Sequence, residues 1–387
     1  MPDSIVVCGT GIAGLASALG FRKAGFNVTL IGPRIAPESN PGDNWHPRVY
    51  ALSPSSKKFL SSLGVWSLMD SNRITAVDAM EVYGDTDGVI NLHAWQASQP
   101  ALAWIIESGE IERALHQALQ VFGVNWVEEK FSELKNGSLI TDSGREITFE
   151  LLVGADGAKS SVRAASGIYH NQKLYGHTGV VTHLTTHLPH QNIALQWFTD
   201  KTVLALLPLS NTSQGNQMSM VWSMPDHEAN ELMAMPDNTR KQNLEQKLQA
   251  IAGARVGAMQ VRSQVYGFPL TFEKTAMFTN KIALVGDAAH RVHPLAGQGL
   301  NLGLGDVSDL ISTVSSKEPW RKAGDSRVLE RYARLRAEPI FAMRAVTHGL
   351  HTLFNVGSVP AMVLRNAGMH IANRLPFLKR ALITGAN

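Results

Sequence analysis

The chain of 387 residues contains a single cysteine, Cys8. One thiol excludes an intramolecular disulfide framework and a cysteine-rich zinc site. It suits a reducing compartment, so a cytoplasmic protein is expected. An excess of charge of one sign is also missing: 35 Lys and Arg against 32 Asp and Glu leave a formal net charge of +3. That is too small at this size to argue for a nucleic-acid partner, and none is expected. No apolar run approaches the roughly 20 residues that cross a bilayer as a helix, so any membrane contact is expected to be peripheral. The basic segment and apolar core of a secretory leader are lacking, since Asp3 leads at once into a glycine-rich motif. Histidines pair at His290/His293 and His348/His351, but no third ligand stands at a zinc or iron spacing. No metal site is expected. Repeats and low-complexity segments are absent as well.

A hydrophobic share of 44% against 17% charged residues supplies a large core, enough for two or three domains. Residues 5–8 form an apolar strand, the glycines that follow open a helix running to Lys23, and residues 27–31 form a second strand. This is a βαβ opening. Helical periodicity returns at residues 111–121, and residues 151–154 read as another buried strand, ending in GADGAKSSVR. From residue 178 to 222 the texture changes to β-type runs such as GVVTHL and VLALLPL, which predict an antiparallel sheet in a second domain. A helix is predicted over residues 239–252, with Leu244, Leu248 and Ile251 on one face. A strand at 282–285 runs into GDAAHRVHPLAGQGLNLG and a further helix. From Val328 onward the pattern is helical, interrupted at Pro339, Gly357 and Pro360.

Three strand-end motifs carry the chemistry. In GTGIAG, Gly9 permits the tight turn after a strand, Gly11 lets the backbone approach a pyrophosphate, and Gly14 lets the helix pack closely on the sheet. The helix N-terminus then offers free N–H groups, those of Ile12 and Ala13 among them, and a positive dipole end. An acidic ribose ligand is expected about 20 residues on; Gly32 stands there, followed by Pro33 and Arg34. Two readings stay open at this point: Arg34 accepts a 2′-phosphate in an NADP site, or this is an FAD site whose ribose ligand is missing. Asp156, beside Gly157, follows a strand and can accept hydrogen bonds from ribose or ribityl hydroxyls. Asp287 again follows a strand and a glycine, and Gly297, Gly299, Leu300 and Asn301 lead into a helix start, a second cradle for an anion or a carbonyl. Three such motifs are redundant for NADP alone and suit a longer dinucleotide.

With these motifs in order, together with RVYALS, LAWIIES, LALLPL, RYARLR and LRNAG, the chain resembles the class A flavoprotein monooxygenases of the p-hydroxybenzoate hydroxylase fold. Within them it is most similar to the ubiquinone-biosynthesis hydroxylases. The resemblance implies an α/β fold: a discontinuous Rossmann-like FAD-binding domain of the glutathione-reductase-2 type at residues 1–75, 100–170 and 275–325. An α+β substrate domain built on an antiparallel sheet would occupy residues 76–99 and 171–274, with a C-terminal helical region at 326–387. It implies FAD held by Gly9, Gly11, Gly14, Arg48, Asp156 and Asp287, and a flavin ring edge against Pro294, Gly297, Gln298 and Gly299. It further implies NADH or NADPH as co-substrate, and oxygen transfer from O2 through a flavin C4a-hydroperoxide to a phenolic ring. His293, Pro294 and Gln298 are the catalytic candidates that follow. Gly32 and Ser108 depart from the family pattern, which commonly has an acid and an asparagine there.

Leu195, Trp197, Leu206, Trp222 and Phe268, on or beside strands of the middle domain, each fit a core position as well, and taken together they suit a greasy wall for a polyprenylated aromatic substrate. Beyond Glu338 there is no acidic residue, while Arg344, Arg365, Arg374, Lys379 and Arg380 remain, and Leu364, Gly368, Ile371 and Leu375 share a helical face. A basic amphipathic helix of this kind can lie on an anionic membrane surface, or dock on its own domain or on a partner; with the resemblance, the inner membrane or a multi-enzyme ubiquinone-biosynthesis complex is the expected contact. Two alternatives accompany the quinone reading: an FAD hydroxylase of another aromatic, and a non-catalytic scaffold homologue.

Overall fold

The structure is a computed structural model that describes residues 3–35, 43–84, 88–135, 137–199, 201–291, 299–355 and 379. Strand β1 (Ser4–Cys8) places Ile5, Val6 and Val7 wholly out of solvent, because both faces of its sheet are covered: Ile5 and Val7 pack with helix residues such as Leu15 and Leu115, and Val6 packs with Leu139, Phe149 and Val162 from the other side. Helix α1 (Ile12–Lys23) returns over the sheet, and β2 (Asn27–Ile31) then pairs parallel with β1. After β3 (Val49–Leu52) comes α2 (Pro54–Ser62), started by Ser53, whose side chain accepts the N–H of Ser56, and by Pro54 in its first turn. Strands β4 (Ile74–Val77), β5 (Ala79–Tyr83), β6 (Val89–His93) and β7 (Ala103–Glu107) follow.

Helix α3 (Ser108–Phe122) buries Ile111, Ala114, Leu115, Ala118 and Leu119, one stripe at helical spacing, and ends on Gly123 in the left-handed conformation. Each fully buried Leu or Ile on that stripe contributes about 1.5–3 kcal/mol. Then come β8 (Asn125–Val127), the small antiparallel sheet of β9 (Phe131–Lys135), β10 (Ser138–Thr141) and β11 (Glu146–Thr148), and β12 (Leu151–Gly154). Helix α4 (Ser161–Ala165) leads to four long antiparallel neighbours and near-neighbours in one sheet: β13 (His170–Thr186), β14 (Ile193–Thr199), β15 (Thr202–Thr212) and β16 (Gly215–Pro225). Helices α5 (Asp226–Ala234) and α6 (Asp237–Val256) are followed by β17 (Met259–Val261), β18 (Tyr266–Thr275), β19 (Phe278–Thr279), β20 (Ile282–Leu284) and β21 (His290–Arg291). Helices α7 (Gly299–Ser315) and α8 (Ser326–Asn355) complete the described chain.

Two sheets organise these elements. One runs β19-β20-β12-β1-β2-β8, parallel except at its β19 edge; the other runs β21-β18-β13-β16-β15-β14-β5-β6, with β17 paired to β13. A three-stranded sheet, β3-β7-β4, lies between them in the chain and packs Ile105 and Val77 against Ala194 and Leu209 of the larger sheet.

The expected interruption at Pro339 is corrected: α8 continues through it. A proline in a helix loses one hydrogen bond and crowds the carbonyl four residues back. Here both Pro339 and Leu335 are exposed, so water can satisfy the freed carbonyl. Gly357, Pro360 and the basic residues from Arg365 to Arg380, Lys379 apart, lie outside the described residues. Among the described residues no helix is long and apolar enough to cross a membrane.

Candidate active site

The three motifs converge at the carboxyl ends of β1, β12 and β20. Gly9 has φ +116°, and a Cβ there would lie 2.3 Å from the carbonyl oxygen of Ala155; one on Gly14 would lie 2.0 Å from the oxygen of Gly9. Both glycines are therefore dictated by close backbone approach. Gly11 is different: nothing lies within 4 Å of its would-be Cβ. It forms the N-cap of α1, with no side-chain cap and no acidic residue in the first turn. The first N–H groups of the helix, those of Ile12 and Ala13 among them, thus have no side-chain cap and lie at a positive dipole end, as a pyrophosphate site requires. Gly286 abuts this point, since its Cβ would lie 3.3 Å from that of Ala13, and so brings Asp287 to the same cradle. Burial, and secondarily Asp156, push the Cys8 thiol far above its usual range, which leaves it a small apolar side chain.

Asp287 is half-buried and has no hydrogen-bond partner among the described residues, so its carboxylate is available to hydroxyl groups. Asp156 is not available in the same way. Its carboxylate accepts the Ser160 hydroxyl, the Ser161 N–H at 2.7 Å and the Val162 N–H at 3.1 Å, and so caps α4. Gly157 beside it has φ +80°. Arg48 is exposed, with its guanidinium 5.2 Å from the Tyr50 ring centre. Its main chain is fixed from both sides, donating to His46 Nδ1 at 3.1 Å and accepting from Ser108 N–H at 2.9 Å. Burial pushes the Tyr50 phenol up to about 12, with Asp287 and Glu112 adding to it and Arg48 opposing. Packing joins these residues: Asn301 at the start of α7 bonds to Ala51 and Ser53 at the end of the strand that carries Tyr50, and a Cβ on Gly303 of the same helix would lie 3.0 Å from the Cα of Gly286, beside Asp287. Ser108, at the departure from the family pattern, donates to Glu112 at 3.0 Å.

At the start of α7, Gly299 has open space beside it and Leu300 is half-buried. The Asn301 amide ties the start of α7 to β3, accepting Ser53 N–H at 3.0 Å and donating to Ala51 O at 2.8 Å. His293, Pro294, Gly297 and Gln298 lie outside the described residues.

The second-strand departure has a structural cause. Gly32 has φ +141°, and a Cβ there would lie 2.8 Å from Thr10 Cγ2. The Thr10 hydroxyl donates to Pro33 O at 3.0 Å, which holds its methyl over Gly32. Arg34 stands 4.6 Å over the Trp126 ring and pairs with Glu128 at 3.3 Å; Trp126 Nε1 donates to Gly32 O at 2.9 Å.

Strand alternation corrects the expected substrate wall. Leu195, Trp197, Leu206 and Trp222 all pack with Leu232, Leu244 and Leu248 beneath α5 and α6, in the core of the larger sheet's helix-covered face. Only Phe268 lies on the other face, where it is 51% exposed. Registered pairs put His183, Ser219 and Leu207 side by side on that second face, with Gln196 and Ala205 paired beside them and Val221 and Ser223 further along β16. These polar residues were missed, although a count of parity from the apolar positions would have found them. His183 is buried, its Nε2–H donates to His46 O at 2.9 Å, and its Nδ1 has no partner among the described residues. Desolvation lowers its pKa to about 4, so the ring is neutral near pH 7.

Comparison with known proteins bears on the family and the fold. The FAD binding domain family matches residues 3–347. The chain is 30% identical to the mitochondrial ubiquinone biosynthesis monooxygenase COQ6 of Drosophila melanogaster, over 99% of this chain and 89% of that protein. It is 29% identical to the 3-demethoxyubiquinol 3-hydroxylase of Escherichia coli, over 98% and 97%. In fold it is similar to p-nitrophenol 4-monooxygenase PnpA from Pseudomonas putida, with a TM-score of 0.76 at 17% identity, covering 99% of this chain and 97% of that one.

Proposed function

The chain belongs to the FAD binding domain family, and from that premise we propose that it is an FAD-dependent monooxygenase of ubiquinone biosynthesis, hydroxylating the aromatic ring of a polyprenylated phenol or benzoquinol intermediate with NADH or NADPH and O2. The observation that carries the reading is the convergence of the uncapped α1 N-terminus, Asp287 and Arg48 at adjoining strand ends. Bound FAD supplies the redox chemistry, taking a hydride from the nicotinamide and activating O2. The protein's share is to bind, orient and exclude water. The N–H groups of Ile12 and Ala13 would hold the pyrophosphate, Asp287 would accept hydrogen bonds from ribityl hydroxyls, and Arg48, stacked near Tyr50, would contact the flavin side. For the flavin edge we propose Pro294, Gly297, Gln298 and Gly299, with His293 as a further catalytic candidate.

In this reading residues 76–99 and 171–274 form the substrate unit, and the polar face carrying His183, Ser219, Gln196 and Ser223 receives the ring. The basic C-terminal residues hold the enzyme against an anionic bilayer or a biosynthetic complex, which brings it to a lipid-embedded substrate. The purified protein should carry one FAD per chain, and deletion of its gene should leave a polyprenylated intermediate lacking one ring hydroxyl. Normal quinone levels in the deletion strain would overturn the quinone assignment while leaving the flavin assignment standing. Salt-sensitive liposome binding that is lost on removing residues 361–387 supports the membrane role; unchanged binding refutes it.

A further inference from the structure

Resting on the assignment of FAD, we propose that Glu128 is the carboxylate that receives the adenosine ribose of the cofactor, in place of the acid that Gly32 lacks. In parallel nucleotide-binding sheets ligands lie outside the carboxyl ends of the strands, and the adenosine follows the pyrophosphate toward the strand beyond the first βα turn. Here that neighbourhood is the end of β2 and the end of β8, which pair in register through Ile31 and Val127. A side chain at position 32 would be strained, because its backbone sits at φ +141° and its Cβ would crowd the Thr10 methyl, which the Thr10 hydrogen bond to Pro33 O holds in place.

Glu128 follows directly on Val127, whose carbonyl accepts the Gly32 N–H at 3.1 Å. Adjacent strands lie about 4.8 Å apart, within the reach of a glutamate side chain, so a carboxylate rooted at 128 can serve the space in front of residue 32. Its orientation is also prepared. Arg34 holds Glu128 at 3.3 Å and is itself fixed flat on Trp126, whose indole N–H is anchored to Gly32 O. The Glu128 side chain remains 58% exposed, so its remaining acceptor sites are open to ribose hydroxyls. An exposed pair of this kind adds little to fold stability. Its geometry is better explained by what it presents to a ligand. Arg34 then positions Glu128 and completes no phosphate site of its own.

The test is flavin titration of the apoprotein, followed by fluorescence, with FAD, FMN and an FAD analogue lacking both adenosine ribose hydroxyls. Glu128→Ala should weaken FAD binding about tenfold, equivalent to about 1.4 kcal/mol, and leave FMN binding unchanged, since FMN has no adenosine. Wild type should lose a similar factor with the analogue, and the variant should lose no more when given it, closing a double cycle. Arg34→Ala should weaken FAD less, through the freed Glu128 side chain. Unchanged FAD affinity in Glu128→Ala, or an equal loss for FMN and FAD, overturns the proposal. Wild-type apoprotein that takes up no FAD overturns the cofactor assignment beneath it, which the other outcomes leave intact.

Discussion

Single residues in this protein are constrained by what stands opposite them more than by their own propensities. Gly32 invites repair by glutamate, yet Glu at that position would be forced into a backbone conformation that side chains rarely adopt, with its Cβ 2.8 Å from Thr10 Cγ2. Gly32→Glu should therefore cost about 1–3 kcal/mol of stability and weaken FAD binding. A thermal melt with a parallel flavin titration reads both; tighter FAD binding would show that the backbone relaxes and the site wanted its acid. His183 illustrates the same dependence on surroundings. Desolvation, with the like charges of His46 and Arg73 adding to it, outweighs the hydrogen bond to His46 O and depresses the pKa to about 4. The unfolded chain titrates at about 6.5, so between these values it binds more protons than the folded protein, and stability falls as pH falls through that window. Between pH 7 and pH 5 the loss assigned to this ring is about 2 kcal/mol. His183→Gln keeps a donor for His46 O and should flatten the pH dependence of the melting midpoint over that range. An undiminished slope would assign the effect to other groups.

Elements were legible in the sequence where one local cause dictates them, and illegible where distant chain decides. The β1-α1-β2 opening reads correctly because a strand covered on both faces must be apolar throughout, and because Gly9 and Gly14 are fixed by contacts within the motif and with Ala155. The stripe on α6 reads correctly for the same local reason, Leu244 and Leu248 being buried at helical spacing. Alternation along β14, β15 and β16 separates two faces, but which of them is closed depends on α5 and α6, which come later in the chain. Leu195, Trp197, Leu206 and Trp222 were thus placed on the substrate side when they form the helix-covered core. The absence at Gly32 was visible as well, but its compensation at Glu128 was not, because β8 joins β2 only in three dimensions. The two faces predict opposite behaviour on substitution. Leu206→Ala should cost about 2–5 kcal/mol and leave the KM of the folded enzyme unchanged. Ser219→Val, on the other face beside His183, should leave the melting midpoint within a few degrees and raise KM for the aromatic substrate. The reverse pattern in steady-state kinetics and melting would mean that the faces are assigned the wrong way round.

At the scale of the whole molecule, the cofactor turn, the larger sheet and the last two helices meet at one buried carboxylate. Asp306 on α7 is wholly buried; it accepts the Gly286 N–H at 2.9 Å and pairs with His290 Nε2 at 2.7 Å and Arg336 Nε at 2.7 Å. Arg336, from α8, also reaches Leu302 O and Asp309, both at 3.0 Å, while Tyr332 of the same helix donates to Leu284 O of β20 at 2.8 Å. His290 belongs to β21, whose partner β18 lies in the larger sheet, so one side chain links the turn that carries Asp287 to the larger sheet and to α8. Burial alone would raise the Asp306 pKa, but His290, Arg336 and the Gly286 N–H outweigh it, and the group is held below its usual value. Its contribution to stability is therefore present above the unfolded carboxylate pKa and lost as pH falls through the lower, folded value. Removing the cation leaves that carboxylate buried with only His290 to balance it. Arg336→Met should accordingly cost about 3–5 kcal/mol, and FAD affinity should fall with it as Asp306, which anchors the Gly286 turn, loses the partner that holds it in place. Adding Asp306→Asn removes the stranded charge while keeping an acceptor for Gly286. If the penalty comes from the unpaired carboxylate, the double variant should melt higher than Arg336→Met alone and recover part of its flavin affinity. If it melts lower, the pair itself, and not avoidance of a lone buried charge, is what holds the layers together.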